Sequence, residues 1–231
     1  MEDIDAIAVL QDPVRRRLYE YVAGQGREVG RNEAAEAVGV ARTLAAHHLD
    51  RLAEAGLLET GSRRLTGRSG PGAGRPAKVY TRARAERSVS LPARDYRTAA
   101  ELLAEAAEEA GLDAGLYAAA RRRGEALRGS AAPCGGLGEA MEALAARGYE
   151  PRLEGDEGAE GAAADAPVVR MRNCPFHAVA ERFPPLVCGM NLALLEGLLG
   201  ADGAVRARID PRPGECCVVV ETAENSKNND R

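Results

Sequence analysis

Apolar positions near the start of the chain recur at helical spacing. Leu18, Tyr21 and Val22 form one stripe within a helix expected over residues 4–24. Asp12-Pro13 supplies a start signal, an N-cap acid followed by proline at the first helical position. Gly24-Gln25-Gly26 closes the segment. Asn32 caps a second, short helix through about Ala37 that turns Ala34, Ala35 and Val38 inward, and Gly39 breaks it. A third helix is expected over residues 41–55, with Gly56 as its stop. The pattern then changes to strand. Leu57-Leu58-Glu59-Thr60 leads out, and Val79-Tyr80-Thr81 returns. Residues 61–76 between them are rich in Gly, Pro and Arg and too polar to bury. Helix, glycine turn, helix and basic β-hairpin together spell a winged helix-turn-helix.

Beyond an extended connector at residues 88–95, two Ala/Leu/Glu/Arg-rich helices are expected over 95–110 and 113–129. They pack on each other, on a second subunit, or both. A helix at 137–147, a strand at 149–154 and a Gly/Ala/acid loop at 155–166 come next. A strand at 168–171 delivers Cys174. Pro184 and Pro185 open a helix that Gly200 ends, and strands at 204–209 and 217–222 pair through a turn at 210–214. The expected class is α+β, with three parts and a tail. Residues 1–90 form a winged-helix DNA-binding domain. Residues 91–132 form a helical linker for dimerisation. Residues 133–223 form an α+β cysteine-containing sensor domain, and 224–231 a disordered tail.

Composition sharpens this picture only locally. The net charge of −4 argues weakly against nucleic acid, but residues 41–90 carry ten Arg/Lys against four acids, a local +6 that leaves −10 elsewhere. No apolar run approaches the ~18 residues of a membrane span. The acidic start, Met1-Glu2-Asp3, argues against a signal peptide, and a cytoplasmic location is expected. Five cysteines, an odd number, suit ligands better than structural disulfides there.

On the third helix, Thr43, Ala46, His47 and Asp50 share one face, while Ala45, Leu49 and Leu52 occupy another. An apolar side for the domain and a small polar side for base edges is what a helix entering the major groove of double-stranded DNA requires. Arg42 and Arg51 flank the polar face. Arg63, Arg64, Arg68 and Arg75 of the hairpin suit phosphates or the minor groove. Asp50 faces phosphate poorly; it orients Arg51 or Arg42, or accepts from a cytosine amine. His48 lies off this face and is read as packing. The bland alternative is a solvated amphipathic helix beside a basic loop.

Four of the five cysteines fall within residues 174–217: Cys174, Cys188, Cys216 and Cys217. Their wide spacing is not that of a zinc ribbon with tight knuckles. It suits a site that exists only once the domain has folded. Strand alternation would send Cys216 and Cys217 to opposite faces, leaving one of them at the shared centre. Gly189 beside Cys188 leaves room for a bulky ligand. The fourth position is open to His177, the other cysteine or solvent. An iron–sulfur cluster, a Cys₃His zinc site and plain buried core cysteines all remain open. Cys134 stands apart. No phosphate loop, nucleophile elbow or acid/base carboxylate pair is present, so an enzyme is not expected; a reactive cysteine with His177 is the one enzymatic alternative.

Residues 12–84, with Leu44-Ala45-Ala46-His47-His48-Leu49-Asp50-Arg51-Leu52 and Gly74-Arg75-Pro76-Ala77-Lys78-Val79-Tyr80, resemble ArsR-like winged-helix regulators. Asn173-Cys174-Pro175-Phe176-His177, Cys188-Gly189-Met190-Asn191 and Pro213-Gly214-Glu215-Cys216-Cys217 resemble the SufR branch of that group. This resemblance implies a homodimeric cytoplasmic repressor of the suf operon for iron–sulfur cluster assembly. It also implies a 4Fe–4S cluster on Cys174, Cys188 and one of Cys216 or Cys217. A zinc- or thiol-redox-regulated repressor without a cluster is the alternative.

Overall fold

The computed structural model describes residues 2–63, 76–155 and 167–223. The fold mixes helix and sheet, and the chain divides into two compact units, Met1–Arg94 and Asp95–Arg231. The boundary therefore falls four residues later than the sequence suggests, and the expected linker helices belong to the second unit.

The first unit begins with α1 (Glu2–Ala8), a 3-10 turn (Val9–Gln11) and α2 (Pro13–Gln25). The long helix expected over 4–24 is thus broken at Asp12. That residue adopts extended backbone, its carboxylate accepts the Arg15 N–H, and Pro13 starts α2. Gly26 ends α2 in the left-handed region at φ 61°. A short strand β1 (Val29–Gly30) leads into α3 (Arg31–Val38), and α4 (Arg42–Glu54) follows. Strands β2 (Leu58–Arg63) and β3 (Ala77–Arg82) complete the unit. The sheet order is β1-β3-β2, all antiparallel, with Thr60 opposite Tyr80. Leu18, Val22, Ala34, Ala45, Leu49, Leu52, Leu58 and Tyr80 form its core.

The second unit contains α5 (Tyr96–Glu109), α6 (Asp113–Arg128), α7 (Leu137–Ala145), β4 (Pro151–Glu154) and β5 (Val168–Met171). Then come α8 (His177–Ala180), α9 (Pro184–Leu199), β6 (Val205–Ile209) and β7 (Val218–Thr222). Its antiparallel sheet runs β4-β5-β7-β6. Alternation sends Val169, Met171, Val218 and Val220 into a core shared with Ala140, Leu144, Leu195 and Leu199 of the helices.

Helix α9 is buried on most sides, and α6 lies against it. They approach so closely because both carry glycine at the crossing. A Cβ on Gly124 would come within 2.1 Å of the Leu194 carbonyl oxygen, and one on Gly197 within 2.1 Å of the Arg121 carbonyl oxygen. Backbone therefore packs on backbone. Arg121 pairs with Glu196, and Arg128 Nε donates to the Gly197 carbonyl, across the same contact. By contrast α5 buries no residue fully; only Ala104 and Ala107 touch the small cluster of Phe183, Leu186 and Val187.

Candidate functional site

Two groups of residues carry chemistry, one in each unit. In the first, α4 buries Ala45, His48, Leu49 and Leu52 and exposes Arg42, Thr43 and His47, with Ala46 and Asp50 between. The amphipathic division read from the sequence is therefore the one observed. His48 packs as expected, 6% exposed, its Nδ1 accepting from Arg15 Nε at 3.3 Å. Burial holds its pKa below the ordinary imidazole value.

Asp50 does not orient Arg51 or Arg42; three donors of its own unit hold it. It accepts from Lys78 Nζ at 2.6 Å, Tyr80 OH at 2.7 Å and Arg31 Nη2 at 3.1 Å. Arg51 instead pairs with Glu54 one turn on, and Arg42 is not among its partners. Partial burial pushes the Asp50 carboxyl up, but the Lys78 and Tyr80 donors and the Arg31 charge outweigh this and hold it below its usual value. Asp50 thus fixes two cations that the sequence did not single out as DNA contacts. Arg31 and Lys78 line, with Asn32, Arg42, Gly61 and Ser62, a groove of ≈ 920 Å³. Alternation along β3 was the available signal, since Lys78 and Tyr80 share a face. Arg63, at the end of β2, is half-exposed and 3.7 Å from Glu28. Arg64, Arg68 and Arg75 lie outside the described residues, as do residues 156–166 and 224–231.

In the second unit, β5 delivers Cys174, α9 carries Cys188, and the turn before β7 carries Cys216 and Cys217. The structure ties the four into two sulfur pairs. Cys188 and Cys217 are disulfide-bonded, with Cα atoms 6.3 Å apart. The Cys174 thiol hydrogen-bonds the Cys216 sulfur. That bond, with burial, raises Cys174 above its ordinary value and makes Cys216 the more acidic partner.

The expectation that Cys216 and Cys217 face opposite ways is therefore corrected. Both reach residues of α9: Cys217 meets Cys188, and Cys216 meets Asn191, one turn further along. The physical reason is that β7 begins only at Val218, so the pleat that alternates side chains does not include them. The turn is pinned from several directions. The Cys216 N–H donates to the Met171 carbonyl, and the Cys217 carbonyl accepts from the Asp210 N–H. Arg170, 1% exposed, reaches Asp210 and Glu154, Arg212 also reaches Glu154, and Arg152 reaches Glu215.

His177 does not join the sulfurs: its ring is 61% exposed and pairs with Glu181 at 3.2 Å. The room expected beside Gly189 is filled, because a Cβ there would meet the Tyr117 ring at 2.4 Å. Cys134 is a core residue, its N–H and carbonyl tied to Leu199 and Ala204.

Sequence reasoning missed Tyr149 and Asn191. Tyr149 OH donates to Asn191 Oδ1 at 2.5 Å, and Asn191 Nδ2 donates to Cys216 Sγ at 3.4 Å. Burial pushes the Tyr149 phenol far up, so it remains a neutral donor. The three-residue step from Cys188 to Asn191 was the legible hint, since it places both on one helical face. Among the described residues, no three His, Cys, Asp or Glu side chains close on a point that one metal ion could occupy. No described helix is long and apolar enough to cross a membrane. The chain matches no protein-family model, no curated protein and no solved structure.

Proposed function

We propose that the chain is a homodimeric, cytoplasmic DNA-binding repressor whose second unit senses iron–sulfur cluster status, in the manner of the SufR-like regulators its motifs resemble. The observation that carries this reading is the meeting of four cysteines from three separate segments. Their donors fit the group. All are soft sulfurs, and Cys216 already accepts an N–H from Asn191. Cys174, Cys188 and one of Cys216 or Cys217 would hold a 4Fe–4S cluster, which when bound would supply a redox- and iron-sensitive cross-link. The Cys188–Cys217 disulfide must first be reduced by a thiol reductant, because only thiolates ligate.

The chain's own residues supply the rest. Cys188 rides on α9, and α9 meets α6 backbone to backbone at Gly124 and Gly197. No side chain cushions that crossing, so a shift of α9 moves α6 with it. Helix α5, which precedes α6, exposes Tyr96, Leu102 and Leu103 and suits pairing with a second copy. In the first unit we read α3 and α4 as a helix-turn-helix and β2–β3 as its wing. Exposed Arg42, Thr43 and His47 with half-buried Ala46 form the groove-facing side of α4. Arg31, Lys78 and Arg63 are the cations placed for phosphate. Control of the suf operon belongs to the same reading.

A second reading rests on the Cys188–Cys217 disulfide itself: a thiol-redox repressor with no cluster. One measurement separates the two. Anaerobically purified chain is assayed for iron, acid-labile sulfide and visible absorbance. About four iron and four sulfide per chain is the expected result. A colourless chain that takes up neither after anaerobic reconstitution moves the assignment to the thiol switch; zinc alone moves it to a zinc regulator. DNA binding is tested by selection from a random duplex library. A palindrome with half-sites about 34 Å apart is expected, and failure to enrich any sequence would sink the DNA half.

A further inference from the structure

Arg31 and Lys78 come from different elements, the start of α3 and strand β3, yet they meet at one atom. Arg31 Nη2 at 3.2 Å and Lys78 Nζ at 2.6 Å both donate to Asp50 Oδ1. Two like charges left to themselves stand apart; here one carboxylate on α4 holds them side by side. Tyr80 OH completes the grip, donating to the same Asp50 oxygen and accepting from Arg31 Nε. Neither cation is used up. An ammonium has donors to spare after one bond, and Arg31 Nη1 has no partner among the described residues. The Arg31 and Lys78 side chains stay 32% and 39% exposed on the groove they share with Arg42 and Ser62. Two cations on one anion leave a net charge of +1 there. Glu33, in the same groove, is no rival acid: its oxygens already take Arg27, Tyr21 OH and the Gly30 N–H.

We infer that Asp50 is a positioning residue for DNA, holding Arg31 and Lys78 as a single fork that closes on one backbone phosphate. This rests on the DNA-binding reading above and adds two things to it. The two cations act as one contact, since a phosphodiester has two unesterified oxygens to share between guanidinium and ammonium. An acid on the DNA-facing side then strengthens binding, although by its charge alone it would repel phosphate.

The test titrates the full chain against a fluorescein-labelled DNA duplex of mixed sequence, by anisotropy at several salt concentrations. Phosphate contacts dominate binding to such a duplex, and each one lost lowers the salt slope by about 0.9. Asp50→Asn adds a positive charge, so charge counting alone predicts tighter binding. The fork predicts the reverse, binding about tenfold weaker at equal salt. It also predicts that the slope falls by one contact. Arg31→Ala, Lys78→Ala and the double variant should all lose that same single contact, and they decide the matter even if Asp50→Asn does not fold. A purely structural Asp50 would lower the melting midpoint and leave the slope of the folded chain alone. The inference is overturned if Asp50→Asn binds as tightly as the parent or more so, if it keeps the parent's slope, or if the double variant loses two contacts. Arg42→Ala, outside the fork, is the reference. If it lowers the slope while the fork variants match the parent, the fork alone fails. A parent that binds no duplex overturns the DNA-binding reading with it.

Discussion

Asp50 stands on the outer side of α4 and yet is occupied by three donors of its own unit. Its partner Tyr80 is fully buried, donates to Asp50 and accepts from Arg31 Nε at 2.9 Å. Deleting that hydroxyl leaves two charged groups short of a partner. Tyr80→Phe is expected to destabilise the first unit by about 1–3 kcal/mol, read from denaturant unfolding. The same residue carries a pH signature. Burial, reinforced by the Asp50 charge, pushes Tyr80 from 10.0 up to about 12. The unfolded chain therefore loses this proton first, and stability falls as pH rises from 10 towards 12. The Phe variant should lack that part of the alkaline loss; an unchanged alkaline slope would contradict the assignment.

At the scale of elements, the α6–α9 crossing makes the sharpest claim. Gly124→Ala or Gly197→Ala forces a methyl into a carbonyl and should cost the second unit about 3 kcal/mol or more, seen as a lowered thermal midpoint. Gly115→Ala, in the same α6 but facing open space, should raise stability by about 0.5–1 kcal/mol. If all three variants melt alike, close packing is not what those glycines serve. The helices themselves were legible because their ends are written in single residues: Asp12 and Pro13 at one start, Gly26, Gly39 and Gly56 at three stops. Strand β1 was not, since two residues carry no periodicity. The cysteine cluster was legible as a set but not as pairs. Which sulfur meets which depends on where β7 begins and on the pinning of its leading turn by Arg170 and Asp210, and neither has a local sequence signal. The Tyr149–Asn191 link joins residues 42 positions apart and is a product of packing alone.

For the whole molecule, the open question of assembly has a specific form in α5. Tyr96, Ala99, Leu103, Ala106 and Ala110 follow steps of three and four, a seam of coiled-coil spacing, and Tyr96 and Leu103 are 74% and 73% exposed. Arg97 sits in the first turn of the helix, after the N-cap Asp95, and Glu105, Glu108 and Glu109 at its end. Antiparallel pairing with a second copy would set Leu103 on its own symmetry mate and Arg97 near the partner's acidic end. Leu103→Glu is expected to convert a dimer to a monomer by light scattering, with an unchanged circular dichroism spectrum. A dimer that survives this change pairs elsewhere.

The shared peptide between Cys216 and Cys217 couples the two sulfur pairs of the second unit. One sulfur leans on β5 through Cys174, the other on α9 through Cys188, and the planar unit between them cannot stretch. Severing either attachment leaves the turn tethered by the other. Loss of one sulfur contact alone would therefore leave the turn in place, held by the other and by the bonds to Met171 and Asp210.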